Sequence, residues 1–244
     1  MMRLLRRLRR LRRDNRAVAM TEMALALPVL LTAGLYGLES ANLALTHMKI
    51  SQAAMMAADN ASRIGDDTML INRRITESDV TDLLIGADLQ AGEKLDIYKF
   101  GRVILSSLET DPDDPSGTRQ WIHWQRCMGE MRVDSSFGEE GDGKNNPSFA
   151  GMGPPGQEVM AMPGDAVMFV EIIYEYQPIV TDAFISNRII RSHASFTVRD
   201  DRDLSQIYQA DPTAPIAAAT CDRYDRFRTT AKQRRGEGGW NWKD

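Results

Sequence analysis

The sequence predicts an α+β fold in which a long N-terminal transmembrane helix packs on an antiparallel β-sheet head, and three observations carry that expectation. Residues 1–17 hold eight Arg against one Asp, the sixteen residues Met23–Leu38 hold no charge, and beyond about residue 95 the apolar pattern shifts to period two. At 244 residues, 43% hydrophobic and 26% charged, the composition is that of a folded chain, which excludes wholesale disorder. The net charge of −4 hides a split, because residues 18–244 carry 22 basic and 33 acidic groups. An acidic body of this kind does not grip nucleic-acid phosphates, so no nucleic-acid partner is expected. Two Cys and three His leave few zinc sites to build, and no cofactor or metal is called for.

The N-terminal helix comes first. Val18–Leu45 is 28 residues, and at ~1.5 Å each it reaches roughly 42 Å, enough to cross a hydrocarbon core of about 30 Å. Membrane lipid is therefore one partner. The Arg cluster stays cytoplasmic by the positive-inside rule, which puts the remainder in the periplasm or outside. A secretory signal peptide, a plain signal anchor and a cleaved leader with a retained helix all remain open, although small-x-small sites after the apolar run are poor. Glu22 is the informative residue, since a carboxylate inside an apolar helix costs ~2.5 kcal/mol or more at the bilayer centre unless it reaches the interface or a partner. Glu39 lies nearer the far end of the span, where water or headgroups can reach it. The helix is expected to run on to about Ile64, with Ile50, Ala54, Ala57, Ala61 and Ile64 forming one narrow stripe of small and apolar residues.

In the head, a helix is predicted around Ser78–Ala87, capped by Thr76 or Ser78. Strands are predicted at Leu95–Ser107, Gln120–Met128, Ala166–Tyr176 and Ile189–Arg199, with a turn or short helix at Thr181–Asn187. Met168, Val170, Ile172, Tyr174 and Tyr176 fall on one face of the third strand, and Glu171 and Glu175 on the other. Together these predict an antiparallel meander with one covered face. Ser135–Asp165 has seven Gly and four Pro in 31 residues, which predicts either a mobile excursion or an interaction loop. The acidic runs at 111–114 and 139–146 lack the alternating spacing of a calcium loop and read as solvated. The chain thus divides into a basic cytoplasmic leader 1–17, a transmembrane and periplasmic helix 18–64, a head 65–228 and a flexible tail 229–244.

Cys127 and Cys221 are the only cysteines, and export would place both in an oxidising compartment. One disulfide is the economical expectation, tying the Gln120–Met128 strand to the C-terminal segment. Two unpaired thiols are the alternative. No nucleophile elbow, zinc-protease helix or phosphate loop occurs, and His47, His123 and His193 belong to no catalytic constellation. The expectation is that the chain is not an enzyme.

The Arg-rich leader, the junction Ala17-Val18-Ala-Met-Thr-Glu22, the run from Met23 through Pro28 to Leu31, the second acid Glu39 and the Ala-rich helix reaching Arg63 resemble the TadE-like minor pilins (pseudopilins) of tight-adherence (Tad/Flp) pili, in the type IV pilus family. The resemblance covers residues 1–64 and implies a pilin-like fold. It implies cleavage by a prepilin peptidase between Ala17 and Val18, which makes Glu22 the fifth mature residue and the acid that registers one subunit against another. Ala17 stands where such proteins often have Gly. Pro28, Glu39 and the 50–64 stripe would serve helix packing. The implied partners are other major and minor pilins, the prepilin peptidase, and the pilus platform and assembly ATPase machinery. The implied location is the bacterial inner membrane, single-pass with the head periplasmic, or an extracellular adhesive pilus. An uncleaved, signal-anchored periplasmic scaffold or binding protein is the alternative.

Overall fold

The structure is a computed structural model describing residues 16–65, 74–92, 94–144, 146–181, 188–199 and 202–224. The Arg-rich leader up to residue 15, the tail and nearly all of the expected turn at 181–187 lie outside the described residues. The chain forms two compact units, one of residues 1–45 with 178–186 and one of 46–177 with 187–244.

A single helix, α1 (Arg16–Ala61), contributes to both. In the first unit it contains Pro28, whose missing N–H leaves a carbonyl of the preceding turn without a donor. The hydroxyls of Thr21 and Thr32 bond back to the carbonyls of Val18 and Pro28 at 2.8 and 2.7 Å, local satisfaction of the kind an apolar helix uses. Every residue from Val18 to Leu38 is exposed.

In the second unit the end of α1 buries Ile50, Ala53, Ala54, Ala57, Ala58 and Ala61, the i, i+3, i+4, i+7 pattern of a core-facing helix. The stripe is wider than the sequence reading gave, and the helix stops at Ala61, so Ile64 lies beyond it and is half-buried. Arg202 fixes this end by donating to the carbonyls of Ala61 and Ile64 at 3.3 and 2.6 Å. These bonds take up carbonyls that a helix end leaves without intrahelical donors.

Helix α2 (Glu77–Ala91) starts at a capping box in which Thr76 and Asp79 each bond the other's backbone N–H. It is followed by the four-residue α3 (Ile97–Phe100), whose first N–H, at Ile97, donates to Asp88 at 3.0 Å. The expected strand at Leu95–Ser107 is therefore corrected to α3 plus β1 (Gly101–Thr110). Gly101 makes the junction, because a Cβ there would sit 2.4 Å from the Ile173 carbonyl oxygen. Strands β2 (Gln120–Met128), β3 (Ala166–Glu175) and β4 (Ile189–Thr197) complete a four-stranded antiparallel sheet.

The strand order is β2-β1-β3-β4, so the sheet is not the expected meander: the chain leaves β2 at one edge and returns to pair β3 with β1. Nor is only one face covered, since β1 and β3 are buried at nearly every position. One face carries Val103, Leu105, Met168, Val170, Ile172 and Tyr174, and α2 packs on its β1–β2 side. The opposite face carries Ile104, Leu108, Ile122, Cys127, Val167, Phe169 and Ile173. Its cover is the Gly/Pro-rich stretch, expected to be an excursion or interaction loop, which lays Phe137, Phe149, Met152, Val159 and Ala161 against the sheet. Beside it Met131, Val133 and Cys221 close over Ile104, Cys127 and Ile173. Loops seldom bury so much, and this one does so because sheet side chains supply its backbone partners.

Candidate functional site

The residues that the sequence singled out fall into three groups. The first is the apolar helix and its charges. From Val18 onward α1 is long and apolar enough to cross a membrane, with none of its most apolar window buried in the chain. Ala17–Val18 lies in the first helical turn, and Glu22 and Pro28 are both exposed on the helix surface. With Pro28 exposed among the described residues, a packing role there would need another molecule.

Glu39 behaves differently. It is 2% exposed, and its two carboxylate oxygens accept the N–H groups of Ile179 and Val180 at 3.3 and 2.7 Å. Such bonds to a charged acceptor contribute ~1.5–3 kcal/mol each, the same order as the cost of an unpartnered acid inside a bilayer. A residue read from sequence as reachable by water or headgroups, and as serving helix packing, here anchors the β3–β4 connection. The sequence signal was its position as the first charge after Met23–Leu38.

The second group is the disulfide. Cys127 and Cys221 are bonded, with Sγ–Sγ 2.04 Å and Cα–Cα 4.8 Å across a separation of 94 residues. The same segment is held by the Cys127 N–H, which donates to Ala219 at 2.7 Å, and by Arg102. Arg102 is 1% exposed and donates to the carbonyls of Cys221 and Arg223, the latter at 3.2 Å, with the Tyr224 ring 4.2 Å from its guanidinium carbon. Burial pushes its guanidinium below the usual value, opposed by Tyr224, Asp134 and Asp222. A cavity of about 310 Å³ lies here, bounded by Arg102, the disulfide, Glu139, Glu140 and Tyr224.

The third group holds the histidines and acids. A bulge between Ser107 and Leu108 leaves His123 without a partner in the β1–β2 ladder, and bulges re-aim side chains. His123 Nδ1 lies 2.9 Å from Glu109, which also accepts the Ser107 hydroxyl at 2.6 Å. Ser107 and His123 thus share a carboxylate and do not bond each other, an order different from a nucleophile activated by its base. Trp121 stacks on His123 beside a cavity of about 480 Å³. His193 stacks on Phe169, and His47 is exposed on α1.

The acidic runs are spent on the backbone. Asp114 accepts from Ser116, Thr118 and Arg119, and Asp111 from Asp113 and the Arg119 side chain, which holds both carboxyls below the usual carboxylate range. Glu171, expected on a polar strand face, is buried and accepts from the Ser135 hydroxyl and Ser136 N–H at 2.9 Å each. Among the described residues no group of three or more His, Cys, Asp or Glu is placed to hold a metal ion. Comparison with protein-family models, with curated proteins and with solved structures found no match.

Proposed function

We propose that this chain is a TadE-like minor pilin, a subunit that takes part in assembling a Tad-type adhesive pilus after a prepilin peptidase cuts between Ala17 and Val18. The observation that carries the reading is α1 itself. One helix runs from Arg16 to Ala61; its first half exposes an uninterrupted apolar surface bearing a single acid, Glu22, and its last turns are buried by small residues.

Cutting after Ala17 would create a positive amino group at Val18, one turn from Glu22 on the same helix and within reach on a neighbouring one. In low dielectric the pair attract strongly, so Glu22 would neutralise the new terminus and set the register between subunits. The exposed Pro28 surface would meet the helices of other pilins, while the head stays in the periplasm or on the pilus.

The test is the N-terminal sequence and intact mass of the protein from native membranes and sheared surface fractions, with and without the host's prepilin peptidase. A peptidase-dependent N-terminus at Val18 is expected, and Glu22→Ala should abolish pilus assembly while the head still folds and the helix still inserts. An intact Met1 in every condition would overturn the proposal and leave a signal-anchored scaffold as the better account.

A further inference from the structure

Among the described residues, the β3–β4 connection meets α1 at Glu39. There the two consecutive residues whose N–H groups meet the carboxylate, Ile179 and Val180, turn their aliphatic side chains outward, 65% and 38% exposed. Glu39 is also where the charge-free run of α1 ends. We propose that Pro178–Thr181 is a membrane-docking loop, with Ile179 and Val180 inserted at the boundary between lipid headgroups and acyl chains beside the helix.

Non-helical backbone enters an apolar medium only if its polar groups have partners. The N–H groups of Ile179 and Val180, the two residues that would be inserted, meet that condition through their bonds to Glu39. The carboxylate is in turn sheltered, being 2% exposed. Lipid is the occupant that the geometry favours, since the loop continues the exposed apolar surface of Met23–Leu38 at its C-terminal end. The proposal rests on that helix crossing the bilayer.

The experiment uses the full chain reconstituted in vesicles of phosphatidylcholine and phosphatidylglycerol, with one environment-sensitive fluorophore placed by Ile179→Cys, by Leu30→Cys or by Ser116→Cys. The native cysteines stay paired and do not take the label. Doxyl groups near the headgroup should quench position 179, doxyl groups near the chain ends should quench position 30, and Ser116, in the exposed β1–β2 turn, should be quenched by neither. Adding Glu39→Ala should reduce the quenching at 179 at least twofold. Quenching at 30 with 179 as dark to the quenchers as 116 would overturn the docking loop and keep the spanning helix. An unquenched 30 would overturn the span and the docking loop with it. Shielding at 179 that grows only with the protein-to-lipid ratio would show a second copy on the loop in place of lipid, and would also overturn the proposal.

Discussion

Removing the cystine by Cys127→Ala with Cys221→Ala should destabilise the second unit by an amount fixed by chain length. The bond closes a separation of 94 residues, and in the chain-entropy account a loop of that size removes about 16 cal/mol/K from the unfolded chain, or about 4.7 kcal/mol at 25 °C. A domain is stable by only ~5–15 kcal/mol, so this is a third of the total or more. The native state has independent reasons to keep its shape, since the Cys127 N–H to Ala219 bond and the Arg102 bonds to Cys221 and Arg223 do not involve sulfur. The loss should therefore appear as easier global unfolding, with residues 216–224 still docked. Guanidinium titration of the detergent-solubilised native chain and of the double variant reads the first quantity through Trp121 and Trp124, which sit on the same strand as Cys127. Hydrogen exchange at the Cys127 amide reads the second. A loss below about 1 kcal/mol would refute the chain-entropy reasoning. A large loss in which the Cys127 amide also loses protection would show that sulfur acts on native docking.

Two further outcomes test the irregular layer and its turns. Gly143→Ala should cost far more than Gly141→Ala although both glycines have φ of +92°. A Cβ at 143 meets the Gln120 carbonyl at 2.2 Å and the Phe149 ring at 2.6 Å, while one at 141 meets nothing within 4 Å. Gly141→Ala should lose ~1–2 kcal/mol for the left-handed backbone, and Gly143→Ala roughly 1–3 kcal/mol more for overpacking, both read as shifts in thermal midpoint. On the acid side, the lowered carboxyls of Asp111 and Asp114 contribute stability that is complete above the unfolded-chain value of about 4 and is lost as pH falls through their lower folded values. Asp114→Asn should lower stability at neutral pH and flatten that acid limb in a circular-dichroism titration, and an unchanged limb would refute the assignment.

Strand β4 was legible because its apolar residues alternate, β2 because Trp121 and Trp124 mark it, and β3 because it is an apolar run, each between clear breakers. The two-sided burial of β3 was legible too, in principle, since Ala166–Tyr174 is apolar at every position but Glu171. Its single acid drew the eye to a solvent face that does not exist, because a buried carboxylate served by a backbone N–H and a hydroxyl leaves no periodic trace. The short α3 was hidden for another reason: Asp96 adopts φ of 43°, a left-handed turn that no local pattern demands of Asp. The covering loop was unreadable as cover because its anchors, Phe137, Phe149, Met152, Val159 and Ala161, are spaced irregularly among Gly and Pro. The capping box at Thr76 and Asp79, by contrast, is a purely local device, and its cap, Thr76, was one of the two candidates legible in the sequence.

How that loop stays ordered follows from counting its backbone partners. Gln120 exchanges two bonds with Ala161, its Oε1 accepting the N–H at 2.7 Å and its Nε2 donating to the carbonyl at 3.1 Å, which imitates one rung of a strand ladder. Gln125 donates to the Gly138 carbonyl, Glu171 accepts from Ser136, and Arg102 takes the carbonyls of Gly129, Cys221 and Arg223. Each of these side chains projects from the same sheet face into the irregular layer, and each is nearly fully buried. Buried backbone groups must be paired, and here side chains do what a fifth strand would otherwise do. Glu39 repeats the device in the other unit, where one carboxylate takes two successive N–H groups of the β3–β4 connection. Buried polar residues that the sequence marks as anomalies are thus the points at which this fold fixes segments that have no secondary structure of their own.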